Sequence, residues 1–209
     1  MAEPEPILPQ RATHAEATIT SVQWLFEPCW SGERLMARLR DGRVTLTDAA
    51  GAPAGPDSAD AAEALRAAVD AGGAVIDGIW TSQPFRLDRA GTRTWDDKRR
   101  AFVAFDLVEL DGQSLAHVPC QERRRLLASV LSEGPRVRIS PFVRQPLGEW
   151  LHVWRANGFT HYLAKQVNSR YHPGERTEDW LILSAEPEKI SIIPVLLGRR
   201  PKKLRRIED

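Results

Sequence analysis

What most constrains this chain is a succession of short segments rich in Val, Ile and Leu, several of which alternate apolar with polar positions. Such segments are strand candidates, here at residues 21–26, 34–39, 43–47, 74–79, 101–108, 136–139, 162–165, 179–183 and 190–197. Arg40-Asp41-Gly42 separates the second from the third, and Asp-Gly tolerates positive φ, so the two read as a hairpin. Helical periodicity interrupts the strands in three places. DAAEALRAAVDA follows a candidate cap at Ser58, shares Leu65 and Val69 on one face, and meets Gly72 as its stop. QERRRLLASVL sets Leu127 and Leu131 on one side. PLGEWLHVWRANG opens on Pro146, closes at Gly158, and is expected to turn Trp150, Val153 and Trp154 inward. Irregular alternation with recurring hairpins fits an α+β domain better than a doubly wound parallel sheet.

Composition narrows the function classes. With 42% hydrophobic and 27% charged residues, a 209-residue chain can bury one sizeable core. Lys and Arg number 29 against 28 Asp and Glu, so no overall charge advertises a nucleic-acid or membrane partner. Two cysteines, Cys29 and Cys120, make no disulfide framework and fit a reducing, cytoplasmic setting. No apolar run approaches the roughly 20 residues of a membrane span, and MAEPEPILPQ lacks the pattern of a signal peptide. The histidines His14, His117, His152, His161 and His172 show no HxxxH or HxH spacing, so no metal site is expected. Neither a GxSxG nor a P-loop pattern occurs.

Four pieces fall in a telling order: EPCWSGERLMAR, AVIDGIW, FVAFDLVELDGQSL followed by ERRRLL, and GFTHYLAKQVNSRYHPGERTEDWLILS. In order and spacing they resemble the motifs of the adenylation (nucleotidyltransferase) domain of ATP-dependent DNA ligases, above all the bacterial end-joining type. The resemblance covers residues 6–184. It implies two antiparallel sheets with flanking helices around a nucleotide cleft. This is the nucleotidyltransferase fold of DNA ligases and mRNA capping enzymes, ATP-grasp-like in character. It also implies one domain over residues 1–198 and a basic tail over residues 199–209. The stretch after Trp180 is too short for the OB-fold domain that follows in the family.

Measured against that family, the catalytic positions are degenerate. The lysine that forms lysyl–AMP is Cys29, the Asp two residues on is Ser31, and the glycine stays as Gly32. The carboxylate after Asp77-Gly78 is Ile79, the metal-associated glutamate is Thr160 with His161 beside it, and two lysines are Ile182 and Ser184. Phosphoryl transfer rests on positioning and charge neutralisation, so these losses act together. Removing a hard oxygen ligand at Thr160 speaks against magnesium.

Other positions survive. Glu27 matches a residue that reads the adenine edge, Arg34 one that contacts ribose or phosphate, Phe105 the aromatic that stacks on the purine, and Lys165 the last lysine of the fourth motif. ATP or another purine nucleotide is the ligand these would take. Each has a plainer alternative: Glu27 pairing with Arg34, Phe105 in the core, Lys165 as a solvated strand end.

Six of eight residues from Arg199 to Arg206 are basic: Arg199, Arg200, Lys202, Lys203, Arg205 and Arg206. Lys98, Arg99 and Arg100 form a second cluster. Such runs bind nucleic-acid phosphates or merely solubilise. The expected function is a ligase-derived pseudoenzyme without an intact catalytic set, binding DNA or a protein partner in a repair or replication complex, with no membrane partner. The alternatives are a nucleotidyltransferase or other enzyme with its chemistry rebuilt around Cys29 and His161, and a nucleotide-sensing module.

Overall fold

The computed structural model describes residues 5–83, 100–186 and 205–207. The expected strand at 190–197 and the basic residues Lys98, Arg99, Arg199, Arg200, Lys202 and Lys203 lie outside them.

Two sheets carry the fold. The larger holds β4 (Glu33–Arg40), β5 (Arg43–Thr47), β6 (Gly73–Thr81), β7 (Ala101–Leu110) and the short β8 (Gln113–Ser114), in the order β5-β4-β6-β7-β8. β9 (Val137–Ile139) adds to β7 in parallel. The predicted hairpin is β4–β5, with Asp41 and Gly42 both at positive φ. The smaller sheet has the order β1-β11-β10-β3, from β1 (Arg11–His14), β3 (Trp24–Pro28), β10 (His161–Gln166) and β11 (Arg176–Ser184). Its β1 runs parallel to β11, so the expectation of purely antiparallel sheets is corrected at β1 and β9.

Strand alternation decides which side chains meet. On β4, Leu35 and Ala37 turn outward under the helices, while Met36 turns toward the other sheet. The outward face of the larger sheet is covered by α1 (Ala59–Ala68) through Ala61 and Leu65, and by α2 (Cys120–Val130) through Leu127. The outward face of the smaller sheet, with Trp24, Phe26, Tyr162, Leu181 and Leu183, is covered by α3 (Gly148–Ala156) through Trp154. Between the sheets lie Met36, Val75, Phe105, Val108, Tyr171 and Trp180.

Helix ends differ in detail from those expected. Ser58 does occupy the N-cap of α1, but its hydroxyl donates to the Gly55 carbonyl, and the helix stops at Ala68 before Gly72. α3 starts two residues after Pro146. Trp154 alone is fully buried there, while Trp150 and Val153 are half-buried. Gly158 closes α3 with φ of 82°, as a left-handed stop requires.

The end of the basic segment is not a free tail. β12 (Arg205–Ile207) pairs in parallel with β2 (Ala17–Ile19). Ile207 packs against the core beneath the smaller sheet, so the core does not lie wholly upstream of Gly198.

Candidate functional site

Two β-bulges in β7 shape the cleft between the sheets. Asp77 pairs with Asp106 but Gly78 with Ala104, which leaves Phe105 extra; Val108 is extra in the same way. Simple alternation would set Phe105 and Asp106 on opposite faces. Phe105, on the face opposite Ala104, turns its ring into the inter-sheet space, and the bulge leaves its carbonyl without a ladder partner. That carbonyl accepts from Arg124 Nη1 at 3.1 Å and Lys165 Nζ at 3.2 Å.

Around Phe105 the four retained positions gather. Lys165 Nζ lies 3.1 Å from Glu27 Oε1, 4.7 Å from the Phe105 ring centre and 4.2 Å from that of Trp180. The Arg34 guanidinium stands 5.3 Å from the Phe105 centroid. Each charge is already met from within. Glu27 does not pair with Arg34; it takes Arg124 Nη1 at 2.7 Å as well as Lys165. Arg34 is bidentate on Asp77, Nε at 3.0 Å and Nη2 at 2.7 Å. Burial works against the Arg34 charge, but Asp77 outweighs it and holds the guanidinium above its ordinary pKa. Lys165 is fully buried, so it is not a solvated strand end, whereas Phe105 is indeed core. Tyr171 completes the floor, donating to Asp77 Oδ2 at 2.7 Å. Burial first and then Asp77 push its hydroxyl well above the usual phenol range.

Sequence reasoning missed the two arginines that fasten this cluster. Arg123 and Arg124 of α2 are buried. Arg123 is bidentate on Asp106, at 2.7 and 2.9 Å, and donates to the carbonyls of Val118 and Ser169. Arg124 adds the Ser140 carbonyl, at 2.6 Å, to its bonds with Glu27 and Phe105. The signal was the Arg-Arg pair one turn before Leu127, on a helix whose apolar stripe alone cannot cover both sheets.

The other end of the cleft is neutral. Cys29 and His161 do come together, the Cys29 N–H donating to the His161 carbonyl at 3.2 Å. Among the described residues no hydrogen bond joins thiol and imidazole, and His161 Nδ1 instead faces Thr160 Oγ1 at 3.0 Å. Burial raises the Cys29 thiol above its ordinary pKa, Arg34 only partly opposing it, so the thiolate is disfavoured. Gly32 is required sterically: φ is 151°, and a Cβ would meet the Trp80 carbonyl at 2.4 Å. Gly78 is equally confined, with Phe102 Cζ at 2.3 Å. Arg100, Arg205 and Arg206, the described members of the basic clusters, are exposed. Among the described residues no group of three or more His, Cys, Asp or Glu is placed to hold a metal, and no helix is long and apolar enough to cross a membrane.

A mixed two-sheet fold with a cleft of this kind defines a nucleotidyltransferase-type domain. Residues 6–183 match the ATP dependent DNA ligase domain, and the chain belongs to that family, as an adenylation domain of the bacterial LigD type. It is 29% identical over 182 residues to the multifunctional non-homologous end joining protein LigD of Mycobacterium bovis, covering 84% of this chain and 23% of the relative. The corresponding protein of Mycolicibacterium smegmatis is 27% identical, over 86% of this chain and 24% of its own. The chain thus spans about a quarter of the length of these relatives. Among solved structures, mycobacterial DNA ligase D complexed with ATP and MES superposes with a TM-score of 0.64 at 27% identity, over 85% of this chain and 60% of that one. Chlorella virus DNA ligase-adenylate, at 14% identity and a TM-score of 0.55, shares the fold.

Proposed function

We propose that this domain is a ligase-derived pseudoenzyme that binds DNA phosphates and does not adenylate itself. One observation carries the reading: the nucleophile, metal and phosphate positions hold Cys29, Ile79, Thr160, Ile182 and Ser184, while the cations kept nearby are consumed by Asp77 and Glu27. A transition state with growing phosphate charge finds no uncommitted lysine or arginine there among the described residues. The DNA side draws on the LigD relatives, whose names place them in end joining, and on the exposed Arg100, Arg205 and Arg206.

Incubation with labelled ATP and magnesium, followed by a denaturing gel, tests the first half. No labelled protein is expected from the native chain or from Cys29→Lys, because Ile79, Thr160 and Ile182 remain. Robust labelling of either sinks the pseudoenzyme reading, and a covalent adenylate on Cys29 itself would establish the rebuilt chemistry around Cys29 and His161 in its place. A salt titration of duplex affinity tests the second half. Truncation would also remove Ile207 from the core, so Arg205→Ala with Arg206→Ala is the cleaner variant. Removing one phosphate-binding side chain flattens the log–log slope by about 0.9 and weakens binding without sequence preference. No binding by the native chain at physiological salt turns the reading toward a protein partner.

A further inference from the structure

The free edge of the smaller sheet carries an aromatic ring that the core does not use. Val143 pairs there with Phe26 of β3, each N–H donating to the other's carbonyl at 2.9 Å. Val143 packs on the outer core, and alternation sends its neighbours Phe142 and Arg144 to the opposite face. One face of the Phe142 ring is covered by Arg124, whose guanidinium carbon lies 4.7 Å from the ring centre, yet the residue is still 48% exposed. Arg124 is itself held by Glu27 and by the Phe105 and Ser140 carbonyls, so the ring has a fixed seat. Arg144 is exposed and donates only to neutral acceptors, the Val22 carbonyl at 3.3 Å and Gln121 Oε1 at 3.4 Å. Among the described residues no carboxylate pairs with it, unlike Arg34, Arg123 and Arg124. Val22 is 56% exposed, so this arginine is bordered by two of the three exposed large apolar side chains among the described residues.

We propose that Phe142 and Arg144 form a platform for one unpaired base of single-stranded DNA and its phosphate. The inference rests on the DNA-binding reading above and gives it a place on the molecule apart from Arg100, Arg205 and Arg206. Proteins that hold single strands stack bases on aromatic rings and meet the backbone with cations beside them. A ring with a guanidinium fixed beneath it suits that use, because it cannot fold inward and a base laid on its free face completes a cation–ring–base stack. Arg144 follows two residues along extended backbone, about 6.5 Å away, within the reach of a nucleotide from its base to its phosphate. A phosphate arriving there displaces no ion pair among the described residues. A protein partner is the weaker fit. The exposed apolar surface is two side chains parted by a guanidinium, with polar Gln121 alongside, and not the continuous apolar centre of a protein interface. Bases inside a duplex already stack on one another, so the ring selects an unpaired one. Ring and guanidinium read no base identity, so the preference is for strandedness and not for sequence.

Fluorescence anisotropy of the full chain with a duplex bearing a single-stranded thymidine tail, and with the same duplex blunt, tests the platform. The native chain is expected to hold the tailed duplex about tenfold more tightly. Phe142→Leu still covers Arg124 but offers no flat ring, so it should abolish that advantage and leave blunt affinity and the urea unfolding midpoint unchanged. Phe142→Trp should keep the advantage. Arg144→Ala should flatten the log–log salt slope for the tailed duplex by about 0.7, which Phe142→Leu should not do. A 2-aminopurine placed in the tail should lose fluorescence on the native chain and not on Phe142→Leu. Equal affinity of the native chain for both DNAs, or an advantage that survives Phe142→Leu, overturns the platform, leaves the DNA reading standing and turns this face toward a protein partner. Binding of neither DNA removes the DNA reading and the platform with it.

Discussion

The two ends of the cleft are built from the same two sheets yet hold opposite chemistry. At one end Glu27, Lys165, Arg124, Arg34 and Asp77 are charged and paired with one another, mostly out of contact with water. At the other, Cys29, Ile79, Thr160 and Ile182 carry no charge that a phosphate could use. The difference teaches which charges in this cleft the fold itself depends on. A buried ion pair stripped of one partner leaves an uncompensated charge, costing several kcal/mol, whereas replacing an exposed charge has little effect on the fold. The charges of the first end are therefore part of the fold as well as of the cleft.

The sharpest way to break this comparison is Arg124→Ala. It leaves Glu27 with Lys165 alone and strips the Phe105 and Ser140 carbonyls of a donor. A loss of about 3–5 kcal/mol is expected, seen in urea unfolding and as a fall in Tm of roughly 10 °C for a domain of this size. A loss below about 1 kcal/mol would mean the charged end is not structural. Next comes Gly32→Ala, at a motif position kept at the neutral end. The clash with the Trp80 carbonyl and the strained φ should cost about 2 kcal/mol, again by urea unfolding. Cys29→Ser should change stability by less than about 1 kcal/mol, because the half-buried thiol makes no hydrogen bond to the described residues. Smallest of all, Arg125→Ala should leave the unfolding curve where it was, since its pairing with Glu122 is on the open face of α2. A large effect there would blur the contrast between buried and exposed charge.

Much of this was legible in the sequence, and the failures have physical causes. The β4–β5 hairpin and the α+β class followed from alternation and turn residues, and the gathering of Glu27, Arg34, Phe105 and Lys165 is what the resemblance to the ligase motifs implied. The role of Asp106 was hidden because alternation assumes an unbroken ladder, and bulges leave no fixed mark on side-chain pattern. Arg123 and Arg124 were not singled out because arginine is rarely fully buried without a partner, and their partners, Asp106 and Glu27, are far away in sequence. The partners of Glu27 and Arg34 were hidden for the same reason. β1 and β12 escaped notice because three or four residues are too few to show a period.

The adjacent arginines of α2 have a mechanical consequence. Arg123 is anchored on Asp106 of the larger sheet and on the Ser169 carbonyl beyond β10, while Arg124 reaches Glu27 of the smaller sheet and the Phe105 carbonyl of the larger. One turn of helix thus acts as a rivet through both sheets. Prising the sheets apart must break the buried Arg124–Glu27 pair together with the bonds from Arg123 to the Ser169 carbonyl and from Lys165 to the Phe105 carbonyl, so the cleft walls should not breathe independently. Amide protons in β6 of one sheet and β10 of the other should then exchange in a single opening event, with equal free energies and a common response to denaturant.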